Sequence, residues 1–391
     1  MLNIQFEKIR QSHTVAMADR VHALKAAGRK IIALQTGDPD FATPPAIVDT
    51  ALKAMQDGST HYAPSRGLME LRRAASAKLE RDHSVSYEPE TELLVTHGGI
   101  HAYYLAMQSI LNPGDEVLVP DPSWATHSNM AIMLRGNVIR VPAPAENGFI
   151  PLFESWEKAL TPKTRAIVLN YPSNPTGAYP TREYLQKLHD FAAAHNLWIV
   201  SDEVYENLYY DEKPTSAASL DGVKEHTILI HSFSKTYAMT GWRIGYLAAP
   251  ARVIDNALKA GQNSITCVSP FIQKAAAFAL NEMSQAAQEM RLAYARRREL
   301  VLRLSHELES DKVLVTPPMG AFYFFLDLRA LKISSLEICE RILEEANVGL
   351  IPGAAFGTQG EGFVRMTIAA SDADVEEGFR RIVEWAEKAK G

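Results

Sequence analysis

Cysteine is scarce in this chain, with only Cys267 and Cys339 among 391 residues. Two thiols cannot form a disulfide scaffold, and their small number favours a reducing compartment. Long apolar runs are also missing: none approaches the roughly 20 residues that a bilayer requires, and the first ten residues lack the apolar centre of a secretory signal. These absences predict a soluble, cytoplasmic protein without a membrane partner.

The chain has no excess of positive charge. Forty lysines and arginines stand against 46 aspartates and glutamates, a formal net charge of −6. This balance gives no overall attraction to nucleic acid, so small molecules and other proteins are the expected partners. One basic run, Arg296-Arg297-Arg298, could bind an anion, although a solvated helix face is the more common role of such a run.

Between about residues 90 and 250, short apolar runs alternate with segments of helical periodicity. This alternation is typical of parallel strands joined by helices. The predicted strands are Leu93–Thr96, Glu116–Val119, Arg165–Asn170, Leu197–Ser201, Thr227–Ser232 and Ile244–Ala248. A crossover helix is predicted where Leu185, Leu188 and Ala192 share one face, with Thr181 as its N-cap.

The pattern changes near residue 283. Met283 to Glu309 contain no Gly or Pro, which predicts one long helix. Strands and helices then mix in a way that indicates a second, α+β unit. Its elements are predicted at Phe322–Leu326, near Ser335–Ala346, at Val348–Ile351, at Phe363–Ile368 and from Asp372 onward.

Polar residues follow several of the predicted strands. Ligands of open parallel sheets bind beyond the carboxyl ends of the strands, so these residues are site candidates. Gly98 and Gly99 precede a predicted helix whose N-terminus suits a phosphate, although such glycines often serve only to make space. Asn174 lies between two prolines in residues 171 to 177, YPSNPTG. That stretch either fixes the amide in place or is an ordinary proline-rich turn.

Two further strand ends carry charged residues. Asp202 follows Leu197–Ser201 and is either a site carboxylate or a helix N-cap. Lys235 follows Thr227–Ser232, with hydroxyl residues on both sides and Arg243 eight residues later. Most lysines are solvated, but burial lowers the pKa of an amine and makes it a nucleophile towards carbonyl groups. Lys235 is therefore a candidate for a reactive residue.

The stretch from Ser232 to Gly245 resembles the lysine signature of the class I/II aminotransferases. These are the aspartate-aminotransferase-like branch of the fold-type I enzymes that use pyridoxal 5′-phosphate (PLP). Further motifs occur in the family's order over nearly the whole chain: Gly37-Asp38-Pro39-Asp40-Phe41, Tyr62-Ala63-Pro64-Ser65-Arg66-Gly67, Asn174-Pro175-Thr176-Gly177, Asp202-Glu203-Val204-Tyr205, Gly320-Ala321-Phe322-Tyr323 and Arg365. The resemblance implies an α/β fold, with a large PLP-binding domain at residues 45–285 whose mostly parallel sheet lies between helices. Residues 1–44 and 286–391 would form a small α+β domain.

The resemblance also implies roles for individual residues. Lys235 would hold PLP covalently and then move the proton of the substrate α-carbon. Asp202 would pair with the pyridine nitrogen, and Tyr205 and Asn174 would hydrogen-bond the ring's phenolic oxygen. The other implied cofactor contacts are Gly99, Ile100, His101, Trp124, Ser232, Ser234, Arg243 and Tyr62. Of these, Ser232, Ser234 and Arg243 would bind the phosphate, and Trp124 would stack on the ring unless it is a core residue.

The substrate contacts implied by the resemblance are Arg365, Asn174 and the backbone at Gly37. Arg365 would bind the α-carboxylate bidentately; the alternative is a surface charge on an edge strand. Tyr62 resembles a residue that reaches the phosphate of the neighbouring subunit, which implies a homodimer with shared active sites. No metal site is predicted.

The chain departs from the family's pattern at Ile100, where some aspartate-preferring members carry a lysine for the distal carboxylate. An apolar side chain cannot pair with a carboxylate, and His101 is only a partial substitute. Neutral or aromatic donors are therefore expected, with aspartate still possible. His127 could be an acid or base or a substrate contact, but a structural histidine is the simpler interpretation.

The expected activity is ping-pong transfer of the amino group of an L-amino acid to a 2-oxo acid such as 2-oxoglutarate. Two alternatives stay open. The same cofactor and lysine also serve carbon–sulfur β-lyases and other eliminations, and the fold does not distinguish these reactions. A non-catalytic PLP-binding regulator is the third possibility, which intact Lys235 and Asp202 disfavour.

Overall fold

The computed structural model describes residues 4–9 and 13–389. In chain order the strands are β1 Ile32–Ala33, β2 Leu93–Thr96, β3 Glu116–Asp121, β4 Asn137–Pro142, β5 Thr164–Asn170, β6 Trp198–Asp202, β7 Thr227–Ser232, β8 Gly245–Ala248, β9 Tyr323–Asp327, β10 Val348–Gly349, β11 Ile351–Pro352 and β12 Phe363–Thr367. The α-helices are α1 His13–Ala26, α2 Pro45–Gln56, α3 Met69–His83, α4 Gly98–Ile110, α5 Ala125–Met133, α6 Phe153–Ala159, α7 Arg182–Ala194, α8 Phe233–Thr236, α9 Ala251–Ser264, α10 Pro270–Glu282, α11 Ser284–Leu308, α12 Ser335–Arg341 and α13 Asp372–Lys388. A π-helical turn, Ile342–Ala346, follows α12.

Seven strands form one sheet in the order β2-β8-β7-β6-β5-β3-β4. The predicted parallel arrangement is confirmed for β3 to β7, but β8 runs antiparallel to both of its neighbours, β2 and β7. This reversal places the amino end of β8 at the edge where the other strands have their carboxyl ends. Arg243, two residues before β8, therefore reaches the same edge as Lys235, which follows β7.

Helices cover both faces of this sheet. Side chains alternate along each strand: Ile167 and Leu169 of β5 face one hydrophobic cluster, with residues of α3, α7 and α10. Ala166 and Val168 face another, with residues of α4, α5 and α9. Because both faces are buried, β5, β6 and β7 are apolar runs rather than alternating ones, which is why the sequence reveals them clearly.

A third hydrophobic cluster joins the two ends of the chain. It contains residues from α1 and the segment after it together with residues from α11, β9, β12 and α13. Strands β11, β12 and β9 form an antiparallel sheet within it, and β1 pairs with β10. The predicted long helix is confirmed as α11. The segment between β1 and α2, which carries Gly37, thus packs with the carboxyl-terminal elements.

Three local predictions differ from the structure. Strand β4 was missed because it is a mostly unburied edge strand with exposed ends, and Arg140 interrupts its apolar residues. The predicted strand Val348–Ile351 is two strands, β10 and β11, which belong to different sheets. The predicted helix near Ser335–Ala346 changes to a π-helical turn after Arg341.

Other features match the predictions more closely. The hydroxyl of Thr181 accepts a hydrogen bond from the backbone N–H of Tyr184 at 3.2 Å and caps α7, as expected. Cys267 and Cys339 are both free. Among the described helices, none is both long enough and apolar enough to span a bilayer.

The solvated face that the sequence suggested for the basic run in α11 forms only in part, because Arg296 alone of the three arginines is exposed. Arg297 is buried and donates to both carboxylate oxygens of Asp40 at 2.8 Å, and it also contacts Asp372 at 2.8 Å. Arg298 donates to the carbonyl of Pro318. The sequence could not reveal these partners because all of them come from distant segments. Arg297 instead fixes the segment around Asp40 against α11.

Candidate active site

One cavity lies at the edge of the large sheet where β2, β3, β5, β6 and β7 have their carboxyl ends. Twelve of the residues predicted to form a site line it: Gly37, Gly99, Ile100, Trp124, Asn174, Asp202, Tyr205, Ser232, Ser234, Lys235, Arg243 and Arg365. Four others were not predicted: Asn170, Val204, Thr240 and Tyr323. The convergence follows from the sheet, because parallel strands bring their carboxyl ends to one edge.

Lys235 lies on the short helix α8, directly after the buried strand β7. Burial lowers the pKa of its amine to about 8, with Arg365 and Arg243 adding to the effect and Asp38 and Asp202 opposing it. Its Nζ donates to the carbonyl of Gly37 at 2.5 Å. A lowered pKa leaves more neutral amine near neutral pH, which is the form that attacks a carbonyl group.

Asp202 ends β6 and is 4% exposed. One carboxylate oxygen lies 3.0 Å from Nε2 of His127, and the other accepts a hydrogen bond from the backbone N–H of Val204. His127 is fully buried, with its ring perpendicular to that of Trp124. His127 therefore contacts Asp202 from the side away from the cavity. This matches the structural role that the sequence favoured for His127, with Asp202 as its partner.

Asn174 is held by two neighbours. Its backbone N–H donates to the side-chain oxygen of Asn170, whose amide in turn donates to the carbonyl of Asp202. Its own side-chain oxygen accepts a hydrogen bond from Arg365 at 2.8 Å. Asn170 was missed because it is the last residue of the predicted strand Arg165–Asn170. The sequence does not show whether the amide of a strand residue faces the cavity.

A second part of the cavity is suited to a phosphate. The N-terminus of α4 begins at Gly98, and a Cβ atom at Gly98 would lie 2.7 Å from Nη2 of Arg243. Arg243 has a φ of 53°, a left-handed conformation that a side chain disfavours, and it makes no ion pair with any described carboxylate. The hydroxyls of Ser232 and Ser234 lie 2.9 Å apart beside it. The guanidinium of Arg243 donates to the carbonyl of Thr240 at 2.9 Å. A guanidinium without a carboxylate partner among the described residues, two hydroxyls and a helix N-terminus together favour a bound oxyanion.

Arg365 is the most deeply buried cation in the cavity wall, at 2% exposure. Its Nη1 donates to Asn174 and its Nη2 to the carbonyl of Gln35, both at 2.8 Å, while its Nε has no partner. Within the part of the chain that the structure describes, no carboxylate forms an ion pair with it. The alternative of an edge-strand surface charge is therefore wrong, since β12 is the central strand of its sheet.

Two tyrosine hydroxyls meet at the cavity wall. The hydroxyl of Tyr205 lies 2.9 Å from that of Tyr323, and both residues are buried. Burial raises the pKa of each phenol, and that of Tyr205 rises well above its ordinary value. Both tyrosines are therefore neutral at physiological pH. Tyr323 belongs to the motif Gly320-Ala321-Phe322-Tyr323, so the signal that could have identified it was present in the sequence.

The structure places two predicted cofactor contacts away from this cavity. The ring of His101 turns towards His97, whose backbone N–H donates to it, and burial lowers the pKa of His101 to about 4. Its side chain therefore contacts the residue that precedes α4 and does not line the cavity. Tyr62 is 88% exposed and does not line the cavity of its own chain.

The comparisons with known proteins agree with this geometry. Residues 29–382 match the protein family described as "Aminotransferase class I and II". The chain belongs to the class I and II aminotransferases. It is 41% identical over 355 residues to aromatic-amino-acid aminotransferase 2 of Thermococcus litoralis, covering 90% of each chain. It is 40% identical over 382 residues to the aspartate aminotransferase of Pyrococcus abyssi, covering 94% of this chain and 97% of that one.

Comparison with solved structures shows that the fold is similar as well. The aromatic aminotransferase of Pyrococcus horikoshii superposes with a TM-score of 0.89 at 39% identity, over 95% of this chain and 99% of that one. The fold is thus that of the fold-type I aminotransferases, as the motifs predicted. This aminotransferase depends on PLP and transfers the amino group of an amino acid.

The residues of this aminotransferase fit PLP. The oxyanion region around Gly98 and Arg243 suits its phosphate, and a buried carboxylate, Asp202, suits its pyridine nitrogen. Lys235 offers the amine that the aldehyde requires. Trp124 is partly exposed on the cavity wall rather than in the core, which leaves its ring free for stacking. Each end of the cofactor thus has a chemically matched group on one cavity wall.

Proposed function

We propose that Lys235, Asp202, Asn174, Tyr205, Arg243 and Arg365 are the working residues of this aminotransferase. When bound, PLP accepts the amino group and draws electrons from the substrate α-carbon. Lys235 would hold the cofactor, carry the proton from the substrate α-carbon to the cofactor in the first half-reaction, and carry a proton in the opposite direction in the second. Asp202, oriented by His127, keeps the pyridine nitrogen protonated. Arg243, Ser232, Ser234 and the backbone at Gly99 and Ile100 bind the phosphate.

The observation that carries this proposal is the unpaired state of Arg365. A guanidinium that is 2% exposed and has no carboxylate partner is costly unless an anion joins it. Every substrate of a transaminase, amino acid or 2-oxo acid, carries an α-carboxylate. Arg365 and Asn174 lie side by side on the cavity wall that also carries Lys235. A carboxylate bound there brings the α-carbon within reach of the lysine.

We further propose that neutral and aromatic L-amino acids are the preferred donors and that a 2-oxo acid such as 2-oxoglutarate is the acceptor. The three cations that line the cavity are Lys235, Arg243 and Arg365, and each already has a role in this proposal. Ile100 lines the wall where a cation for a distal carboxylate would be needed, and it is 42% exposed. Apolar side chains of substrates gain from burial against it.

The exchange Ile100→Lys tests this preference. A lysine adds a charge for the distal carboxylate, so we expect kcat/KM for aspartate relative to phenylalanine to rise roughly tenfold. The matched control is Ile100→Met, because methionine is similar in length to lysine but carries no charge. This variant should stay within about twofold of the wild-type ratio. A ratio unchanged by lysine would contradict the placement of the substrate side chain beside Ile100.

The proposed assembly is a homodimer in which Tyr62 completes the partner's phosphate site. The side chain of Tyr62 is 88% exposed and is therefore available to contact a partner subunit, a role that an amphipathic aromatic residue suits. The two free cysteines support a reducing, cytoplasmic location. The proposed domain boundaries, at residues 45 and 285, would let the small domain with Gly37 and Arg365 close over a bound carboxylate and exclude water.

Subunit mixing tests the shared site. Tyr62→Ala and Lys235→Ala homodimers should each be impaired, because every site in them lacks one group. Random reassortment makes about half of the dimers mixed, and each mixed dimer holds one intact site of two, so about a quarter of wild-type activity should return. Activity no higher than the sum of the two parents would overturn the assignment of Tyr62.

A further inference from the structure

Tyr323 is a buried tyrosine that contacts three separate parts of the cavity. Its hydroxyl lies 2.9 Å from that of Tyr205, and the guanidinium carbon of Arg365 lies 4.3 Å from the centre of its ring. A Cβ atom at position 37 would lie 2.7 Å from the same hydroxyl, so only glycine leaves room there. Tyr323 thus lies where the carboxylate subsite, the cofactor subsite and the amino-terminal segment meet.

The register of the small antiparallel sheet creates this junction. Tyr323 of β9 pairs with Thr367 of β12, and Arg365 pairs with Phe325, so the two pairs are two residues apart in each strand. Tyr323 and Arg365 are therefore diagonal neighbours on one face of the sheet, a separation that aromatic and long side chains can bridge. The stacked pair places a cation against the ring of Tyr323, and the ring in turn supports the guanidinium.

The position of Arg365 favours Tyr323 as the donor of this hydrogen bond. The guanidinium of Arg365 lies over the ring of Tyr323, and a cation there makes the phenol a stronger donor. Burial raises the pKa of both phenols; Arg365 opposes this rise at Tyr323, and the pKa of Tyr205 rises well above its ordinary value. With Tyr323 as the donor, the oxygen of Tyr205 accepts, and the proton of Tyr205 is available to a group in the cavity.

We propose that Tyr323 is a positioning residue that couples carboxylate binding at Arg365 to the hydroxyl that Tyr205 presents to the cofactor. The inference rests on the roles proposed above for Arg365 and Tyr205. A bound carboxylate neutralises Arg365, which weakens the hydrogen bond from Tyr323 to Tyr205. Tyr205 would then donate less strongly to the phenolic oxygen of a bound cofactor, which would raise the pKa of the visible band of the loaded enzyme. Such coupling is reciprocal, so binding at one subsite changes the free energy at the other by the same amount.

The test is a pH titration of the visible absorption band of the loaded enzyme, with and without 3-phenylpropionate. This carboxylate has no amino group and cannot react. In the wild-type enzyme, saturation with it should raise the pKa of the band. Tyr323→Phe keeps the ring and removes the hydroxyl, so its dissociation constant for 3-phenylpropionate should stay within about threefold. The rise in pKa should fall to less than half, as expected for a lost hydrogen bond.

A second variant distinguishes the contribution of the Tyr323 ring from that of its hydroxyl. Tyr323→Leu also removes the surface on which Arg365 stacks, so binding of 3-phenylpropionate should weaken by about tenfold in addition. Tyr87→Phe is the control, because Tyr87 is equally buried, its hydroxyl has no partner and it lies outside the cavity. The control should match the wild type in both the band and the dissociation constant.

A double-mutant cycle completes the test. Tyr205→Phe alone should reduce the carboxylate-induced rise at least as far as Tyr323→Phe does, with the remainder passing through Asn174, which Arg365 also contacts. Adding Tyr323→Phe to Tyr205→Phe should change nothing further, because both act through one hydrogen bond. Additive effects, or an unchanged rise in Tyr323→Phe alone, would overturn the coupling. The proposed function fails separately: if Tyr205→Phe leaves the band unchanged and Arg365→Ala binds 3-phenylpropionate normally, the roles of those two residues are wrong.

Discussion

Replacing Lys235 with alanine is expected to lower the rate of transamination by roughly 10⁴-fold or more and to abolish the visible absorption band of the loaded enzyme. The magnitude follows because one side chain supplies both the covalent attachment and the proton transfer. The band, measured after PLP is added to the purified variant, checks the attachment. Single-turnover rates with phenylalanine check the proton transfer.

The pH dependence of loading provides a further control on Lys235. Its pKa of about 8 means that the neutral amine becomes the major form only above that pH. The rate at which the wild-type band appears should therefore rise with pH up to about 8 and then level off. Lys187→Ala, a change in the exposed face of α7, should load normally. A visible band of normal intensity in Lys235→Ala would refute the assignment of the cofactor lysine.

Replacing Arg365 with alanine is expected to lower kcat/KM by roughly 150- to 5,000-fold for the amino acid and the 2-oxo acid alike. Loss of a buried charge partner costs about 3–5 kcal/mol, which corresponds to this range. Both substrates share the α-carboxylate, so both Michaelis constants should rise together. Steady-state kinetics with each substrate varied in turn measure the two effects.

Two control variants sharpen this prediction. Arg365→Lys keeps the charge but loses the fork that can bind both carboxylate oxygens, so it should fall between the wild type and Arg365→Ala. Arg303→Ala removes an exposed arginine of α11 and should change neither constant. If both Michaelis constants are unchanged in Arg365→Ala, the carboxylate subsite lies elsewhere.

Much of the candidate site could be predicted because its residues follow strands that are clear apolar runs in the sequence. Buried parallel strands are short apolar runs, and the residue after each one reaches the same edge of the sheet. Asp202, Lys235 and Asn174 were singled out in this way and line one cavity, and the family motifs suggested their roles. Arg365 needed the motifs, since position alone left a surface charge as an alternative.

The features that could not be predicted depend on contacts between distant segments. The pairing of His127 with Asp202 and of Tyr323 with Tyr205 links residues 75 and 118 positions apart. The burial of Arg297 depends on Asp40 in another segment. His101 shows a different limit. Its position next to the predicted phosphate-binding turn was clear from the sequence, but that position does not fix where a helical side chain points. Periodicity gives the elements, but packing between them decides such contacts.

The most direct test of the central claim is a titration of the loaded enzyme with L-amino acids in the absence of any 2-oxo acid. The account predicts that the visible band converts to the near-ultraviolet band of the aminated cofactor, with one 2-oxo acid released per site and no ammonia. Neutral and aromatic amino acids should convert it most efficiently. A visible band that persists while pyruvate and ammonia accumulate would contradict transamination and identify an elimination instead.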